Sequence, residues 1–360
     1  MGLWEVLLVS SGAVYLAALL WLNMGLGRQP VETVQDRPQV SVIVAARNEE
    51  AQIAACMDAL LAQDYGGIWE VVVVDDRSTD QTARLVEARC GEQLKLVRAG
   101  REPRFRCPKK SALAAGIETS QGELLLFTDA DCQPPPDWVR RTVALFSPQV
   151  GLVAGHAFPL PSPGLRQGVL ALDNLAVGAL GAGSMGMGRP LSCTGRNLAY
   201  RRRVFEQVGG FSAIGHLIGG DDVYFLRLVA HTPWKIVHNS CVVDCAPGPQ
   251  TWGALLQQKL RHASKAGHYQ GPALLLGTAV YLFHLLLLVG MTKLMLGRAE
   301  LLFLVIWGTR WLADLVLLWR YAPRPGERKL LRHLPFLEVL YIPYVLVFTL
   351  VGRLGRFRWK

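Results

Sequence analysis

Residues 40–50 read VSVIVAARNEE, residues 69–81 read WEVVVVDDRSTDQ and residues 123–131 read ELLLFTDAD. Each opens on a short apolar run, Val40 to Ala46, Trp69 to Val74 and Glu123 to Phe127, and each stops at polar or acidic residues. Runs of this length, bounded by turn-formers, have the pattern of buried strands. A shorter one, Leu94 to Val97, lies between them. Helix-like patterns fill the gaps over Glu49 to Gln63, after Ser78-Thr79-Asp80-Gln81, which has the form of a capping box, and over Lys109 to Thr119. Strand and helix therefore alternate, which predicts an α/β fold built on an open, mostly parallel sheet with helices on both faces. Such sheets bind ligands beyond the carboxyl ends of their strands, where Asp75, Asp76, Asp129 and Asp131 would converge.

The ends of the chain are different in kind. Of 360 residues, 51% are hydrophobic, and the excess collects in residues 3–22 and from about residue 272 onward. The first of these runs is long enough to cross a hydrocarbon core as a helix. Glu5 precedes it and Trp21, Asn23 and Met24 follow, without a basic leader or a small-residue cleavage site, so it is expected to be a retained anchor. Pro272 to Gly290 and Ala299 to Trp319 are two further expected spans. Leu334 to Val351, broken by Pro335 and Pro343, fits either a third C-terminal span or a kinked hairpin. The net charge of +10 sits beside these segments, at Arg320, Arg324, Arg328, Lys329 and Arg332 and at Arg353, Arg356, Arg358 and Lys360. Basic flanks of this kind mark a cytosolic membrane face rather than a nucleic-acid partner, and place the central domain in the cytosol with the N-terminus outside. The seven cysteines include no CxxC pair and suit a reducing compartment. Residues 160–188, apolar and glycine-rich, are expected to form a loop and an interfacial helix.

Three acidic clusters end or interrupt apolar segments: Asp75-Asp76, Asp129-Ala130-Asp131 and Asp221-Asp222. Two carboxylates two residues apart on a turn suit a hard cation, Mg²⁺ or Mn²⁺, which keeps phosphate oxygens in its shell. Alone, such a turn is more often a solvated cap, and Asp222 ahead of Val223 to Val229 has the form of an ordinary helix cap. Arg310 and Asp314, four apart in an apolar segment, would neutralise one another. No histidine spacing suggests zinc.

Seven segments together change the balance. VSVIVAARNEE, VVVVDDRSTD, PKKSALAAGI (108–117), LLLFTDADCQPPPDWV, TGRNLAYRRRVFEQVGGF (194–211), GGDDVYFLRL (219–228) and QQKLRHASKAG (257–267) follow the order and spacing of the family 2 glycosyltransferases, and the chain resembles the inverting, GT-A-fold, bacterial membrane members of that family. The resemblance implies donor contacts at Ala45, Asn48, Asp75, Asp76 and Lys110, ribose and metal contacts at Asp129, and metal at Asp131. It implies a general base at Asp222, with Asp221 where the family more often has Glu. Gln258 and Arg261 match a motif that lies against the donor diphosphate, but His262 stands where the family carries Trp, which puts the role of that position in doubt. The implied reaction is a single displacement from a nucleotide-diphosphate sugar, a UDP-sugar first, to a hydroxyl of a lipid or lipid-linked acceptor, with Mg²⁺ or Mn²⁺ as cofactor.

The expected organisation is an anchor (1–24), a linker (25–38), a cytosolic catalytic domain (39–246), an interfacial segment carrying the QxxR(H) motif (247–270) and a C-terminal membrane region (271–360). A processive polysaccharide synthase shares the motifs but commonly has more spans. A nucleotidyltransferase would carry a glycine-rich phosphate loop that residues 40–50 lack. A non-catalytic nucleotide-sugar-binding membrane protein is the remaining alternative, raised by His262 and opposed by retention of every acidic candidate.

Overall fold

The computed structural model describes residues 2–28, 30, 37–248, 251–264, 272–298 and 300–352, so the basic tail at Arg353 to Lys360 and half of the expected linker lie outside the described residues. In chain order the elements are α1 (Leu3–Leu26), β1 (Val40–Ala46), α2 (Ile53–Leu61), β2 (Trp69–Asp75), α3 (Thr82–Glu87), β3 (Leu94–Arg98), α4 (Pro108–Thr119), β4 (Leu124–Asp129), β5 (Cys132–Gln133) and α5 (Trp138–Val143). Then come β6 (Val150–Pro159), α6 (Leu165–Gly186), β7 (Leu198–Arg201), α7 (Arg202–Gln207), α8 (Val223–Ala230), β8 (Lys235–Cys245), α9 (Trp252–Ser264), α10 (Pro272–Met295), α11 (Leu301–Tyr321) and α12 (Leu334–Gly352). They form two compact units, residues 25–160 with 180–246, and residues 1–24 with 161–179 and 247–360.

The first unit is built on one eight-stranded sheet in the order β3-β2-β1-β4-β7-β6-β8-β5. β1 pairs in parallel with both β2 and β4, and β2 with β3, whereas β7 runs antiparallel to β4 and β6. The period-two alternation of the strands explains the layering. Val42, Val44, Val71, Val73, Leu124 and Leu126 belong to one core, against Ile53, Met57 and Trp138 of the helices. Ile43, Leu125 and Phe127 point to a second core with Leu113, Ile117, Phe225 and Val229. With apolar residues on both faces, the strands must be covered on both faces, and each fully buried Val or Leu contributes about 1.5–3 kcal/mol. Gly116 lets α4 lie close on the sheet, since a Cβ there would meet Ile43 at 2.7 Å and Val74 at 2.9 Å.

Two expected elements begin later than their patterns suggested. α2 starts at Ile53, not Glu49, because Glu49 and Glu50 are held in the preceding loop: their amides donate to Thr82 Oγ1 (2.8 Å) and Asp80 Oδ2 (3.2 Å). α3 starts at Thr82 without a capping box. Ser78 Oγ instead accepts the Asn48 amide (3.1 Å), and Asp80 Oδ1 accepts the Thr82 amide (2.9 Å).

In the second unit, the helices α10, α11 and α12 are long and apolar enough to cross a membrane, and so are α1 and α6, making five such helices among the described residues. α6 replaces the expected loop and short interfacial helix with 22 helical residues. α12 is one helix with Pro343 inside it, not a hairpin. Arg310, almost fully buried, does lie near Asp314 (Nε to Oδ2, 3.7 Å), but its closer partner is Glu338 (Nη1 to Oε2, 2.6 Å), and the Tyr15 hydroxyl donates to Asp314 at 2.9 Å. Charge within an apolar bundle is thus paired rather than bare, as its desolvation cost demands. Lys259 of α9 pairs with Asp173 of α6, which also accepts the Tyr341 hydroxyl of α12.

Candidate active site

Strand register aligns the site. Ala46 is opposite Asp75, and Ala45 stands between Val74 on one side and Asp129 on the other, so the last residues of β1, β2 and β4 share one edge of the sheet. The backbone turns sharply after two of these strands. Asn48 and Arg77 adopt left-handed conformations, φ 53° and 60°, which a residue with a Cβ takes only under local constraint. The constraint for Asn48 is visible: its carboxamide oxygen accepts the Thr79 amide at 2.8 Å while its own amide donates to Ser78. Arg77 Nε donates to Asp76 Oδ1 at 2.9 Å, and Asp75 Oδ1 accepts the Ser78 amide at 3.3 Å. The two loops are thereby laced into one rim, with Asp75 and Asp76 buried in it.

Across that edge lies the acidic cluster. Lys109 Nζ is 2.5 Å from Asp129 Oδ1 and 3.4 Å from Asp221 Oδ2. Burial opposes the ammonium, but the carboxylates of Asp129, Asp221 and Asp222 outweigh it and hold its pKa well above the ordinary lysine value. Asp221 is buried, and Asp222 caps α8, its Oδ1 accepting the Val223 amide at 2.6 Å, which fixes the plane of the carboxylate. Burial, then the nearby charge of Asp129, raises the Asp131 carboxyl above the usual aspartate range. Arg196 answers these charges. Its Nη1 donates to Cys245 Sγ at 3.0 Å, and although burial disfavours it, the surrounding Cys245, Cys132, Asp129 and Asp131 raise its pKa. A narrow solvent-connected space is lined by Lys109, Thr128, Asp129, Gly195 and Asp221 on its polar side and by Leu113, Phe127, Leu198, Tyr200 and Phe211 on its apolar side. Gly195 keeps it open, since a Cβ there would stand 3.2 Å from Asp221 Oδ2.

A family model described as Glycosyl transferase family 2 matches residues 41–209, which contain every strand-end carboxylate above except the Asp221-Asp222 pair. Glycosyltransferase AglE of Haloferax volcanii is 30% identical over 234 residues, 62% of this chain and 71% of that protein. The chain belongs to glycosyl transferase family 2. It is a glycosyltransferase with the GT-A architecture. The mannosyltransferase PcManGT from Pyrobaculum calidifontis, solved with GDP-Man and Mn²⁺, superposes with a TM-score of 0.60 over 97% of this chain and 99% of that one, at 22% identity. Beta-monoglucosyldiacylglycerol synthase of Synechocystis sp. is 40% identical over 118 residues, 32% of this chain and 24% of that protein. An undecaprenyl-phosphate 4-deoxy-4-formamido-L-arabinose transferase of Pectobacterium carotovorum is 31% identical over 112 residues, 31% of this chain and 34% of that protein. The glycosyltransferase therefore spans about a quarter to a third of the length of these last two relatives.

The structure gathers some of the residues named from the sequence and separates others. Asp129, Asp221 and Asp222 surround one ammonium, with Asp131 adjoining, and Asp75, Asp76 and Asn48 form the rim beside them. Lys110 goes elsewhere: fully buried, it donates from Nζ to the carbonyls of Ile214 (2.6 Å) and Leu217 (3.0 Å). The lysine at the carboxylates is Lys109, which sequence reasoning passed over. Two adjacent lysines at the start of a helix point about 100° apart, and only the packing of α4 says which faces the site. Arg196 and Gly195 were also missed, because the one looks like part of a basic strand end and the other has no side chain to notice. Gln258 is half-buried on α9, while the side chains of Arg261 and His262 lie outside those described.

Among the described residues no three His, Cys, Asp or Glu side chains come together as a metal site. The donor set nevertheless fits a hard divalent cation that takes most of its ligands from a nucleotide. Asp129 and Asp131 offer carboxylate oxygens, and four carboxylates face the two cations Lys109 and Arg196, an excess of two negative charges.

Proposed function

We propose that this glycosyltransferase transfers a hexose from a nucleoside-diphosphate sugar, a UDP-sugar first, to a hydroxyl of a lipid or lipid-linked acceptor at the cytosolic face of the inner membrane, with inversion. The observation that carries the reading is the gathering of Asp129, Asp221 and Asp222 about Lys109, with the Asp75-Asp76 rim at the end of β2 on the same sheet edge as Asp129. The rim of Asn48, Asp75 and Asp76 would take the nucleoside, its loops already fixed by their own hydrogen bonds. Asp129 and Asp131 would hold Mg²⁺ or Mn²⁺, which supplies Lewis-acid stabilisation of charge on the departing diphosphate. Arg261 would add a planar fork of donors to the same oxygens. Asp222, its carboxylate oriented by the α8 amide, would accept the acceptor's proton as that oxygen attacks the anomeric carbon. Asp221, paired to Lys109, would lie beside it.

A lipid acceptor is supported by the five apolar helices and by the lipids for which the diacylglycerol and undecaprenyl-phosphate relatives are named. Residues 39–246 would be the catalytic domain and 247–270 the interfacial segment. Nucleotide release by the detergent-purified protein, from UDP-, GDP- and dTDP-sugars with Mn²⁺ or Mg²⁺, tests this with and without membrane lipid extract. Metal-dependent, lipid-dependent release from one donor, lost in Asp131→Ala and Asp222→Asn, is the expected result. Full activity in Asp222→Asn would remove the base from its role, and lipid-independent release would remove the lipid acceptor.

A further inference from the structure

Nothing in the reaction as proposed requires a lysine to hold Asp129, yet Lys109 does so at 2.5 Å and reaches Asp221 at 3.4 Å. We propose that Lys109 is the resident counter-ion of the acidic site, which a divalent cation must displace from Asp129, so that metal binding and release of the lysine are one exchange coupled to the arrival of the donor diphosphate. The proposal rests on reading Asp129 as a metal ligand.

Three features make the exchange physically reasonable. The first is competition: an ammonium and a divalent cation both seek the Asp129 carboxylate, and neither tolerates the other within contact distance. The second is mobility on a fixed base. α4 is pinned to the sheet by the tight approach at Gly116, while the lysine stem is a flexible four-carbon chain on the first turn of that helix. Its side chain is a quarter exposed, so it can swing without unpacking a core. The third is access: a narrow solvent-connected space runs beside Lys109, Asp129 and Asp221, where Gly195 carries no side chain. Lys110 cannot replace Lys109, because it is tied to the carbonyls of Ile214 and Leu217.

Charge gives the coupling its sign. Lys109 and Arg196 are cations that the carboxylates of the site face among the described residues. A divalent cation at Asp129 neutralises the excess and sets Lys109 free beside it, which repels bare metal but welcomes a metal carrying a diphosphate, since phosphate oxygens offer the displaced ammonium a new partner. The full-length protein should therefore bind metal weakly alone and more tightly with nucleoside diphosphate.

The test is Mn²⁺ binding to the detergent-purified full-length protein, read by electron paramagnetic resonance or calorimetry, with and without UDP or GDP. Lys109→Met and Lys109→Gln are expected to bind Mn²⁺ alone on the order of tenfold more tightly than wild type and to lose most of the enhancement by nucleotide, while Lys109→Arg restores the wild-type pattern. Unchanged or weaker Mn²⁺ binding in both neutral variants, with wild type binding normally, overturns the exchange and leaves the metal reading intact. No Mn²⁺ binding by wild type, with or without nucleotide, overturns the metal reading itself and the exchange with it.

Discussion

Lys110→Met separates two roles that the sequence could not. If Lys110 contacts the nucleotide, its loss weakens donor binding. If it does what its contacts show, its loss loosens the segment around residues 214–217. Nζ donates to two carbonyl oxygens, at 2.6 and 3.0 Å, from a side chain with no solvent exposure. Leaving a buried carbonyl without its donor costs about 1–3 kcal/mol each. Methionine refills much of the volume and removes the desolvation penalty of a buried ammonium, which offsets part of that cost. A net destabilisation of about 2–3 kcal/mol follows, equivalent to roughly 5–10 °C in the apparent Tm of a unit this size. The assay is thermal unfolding of the purified protein beside nucleotide Kd measured well below the transition. The expected outcome is a lowered Tm with donor affinity within about twofold of wild type. A normal Tm with donor affinity reduced tenfold or more would refute the placement of Lys110 and return it to the nucleotide.

Two further outcomes follow from buried polar groups. Asn197, almost fully buried, donates from Nδ2 to the carbonyls of His156 (2.9 Å) and Cys241 (2.7 Å) and accepts Trp138 Nε1 (2.9 Å), so Asn197→Ala strands three partners and should cost about 3–5 kcal/mol by denaturant unfolding, whereas a loss under 1 kcal/mol would deny the hub its importance. His238, partly buried on β8, is held neutral by loss of solvation, its pKa pushed down to about 4, so the unfolded chain takes up a proton that the fold refuses as pH falls from about 6.5 toward 4. Stability should drop through that window by at most about 3 kcal/mol, and a folded His238→Gln variant should lose this step in its Tm against pH profile.

What could be read in the sequence was what depends on local pattern. β1 is bounded as its apolar run indicates, and β2, β3 and β4 fall within two residues of theirs, because a strand covered on both faces is largely apolar and its end is announced by the first charged residue. The other half of the sheet gave no such signal. β6 contains Gly151 and Gly155, of which the second leaves room for Asn197, and its register with β8 slips twice. These are accommodations to neighbours far along the chain, and periodicity carries no trace of them. The same holds for the site. The acidic residues stand out because carboxylates after buried strands are conspicuous, while Lys109, Arg196 and Gly195 matter only through what folds against them. α6 was misjudged for a different reason: its glycines resemble loop punctuation, yet Gly183 and Gly186 lie against Gly25, where no side chain would fit.

The four residues of β7 are the only strand joining β4 to β6 in the sheet order, and they arrive in the chain after β6 and after the 22 residues of α6. During synthesis, β1 to β4 can assemble as soon as they emerge, but β6 has no edge to join until Leu198 to Arg201 is made. The half-finished sheet must wait with the β4 edge unpaired, and an exposed edge of that kind invites pairing with the wrong chain. Pausing before Leu198 to Arg201 has emerged from the ribosome would lengthen that exposure, whereas pausing after it has emerged would come too late to matter.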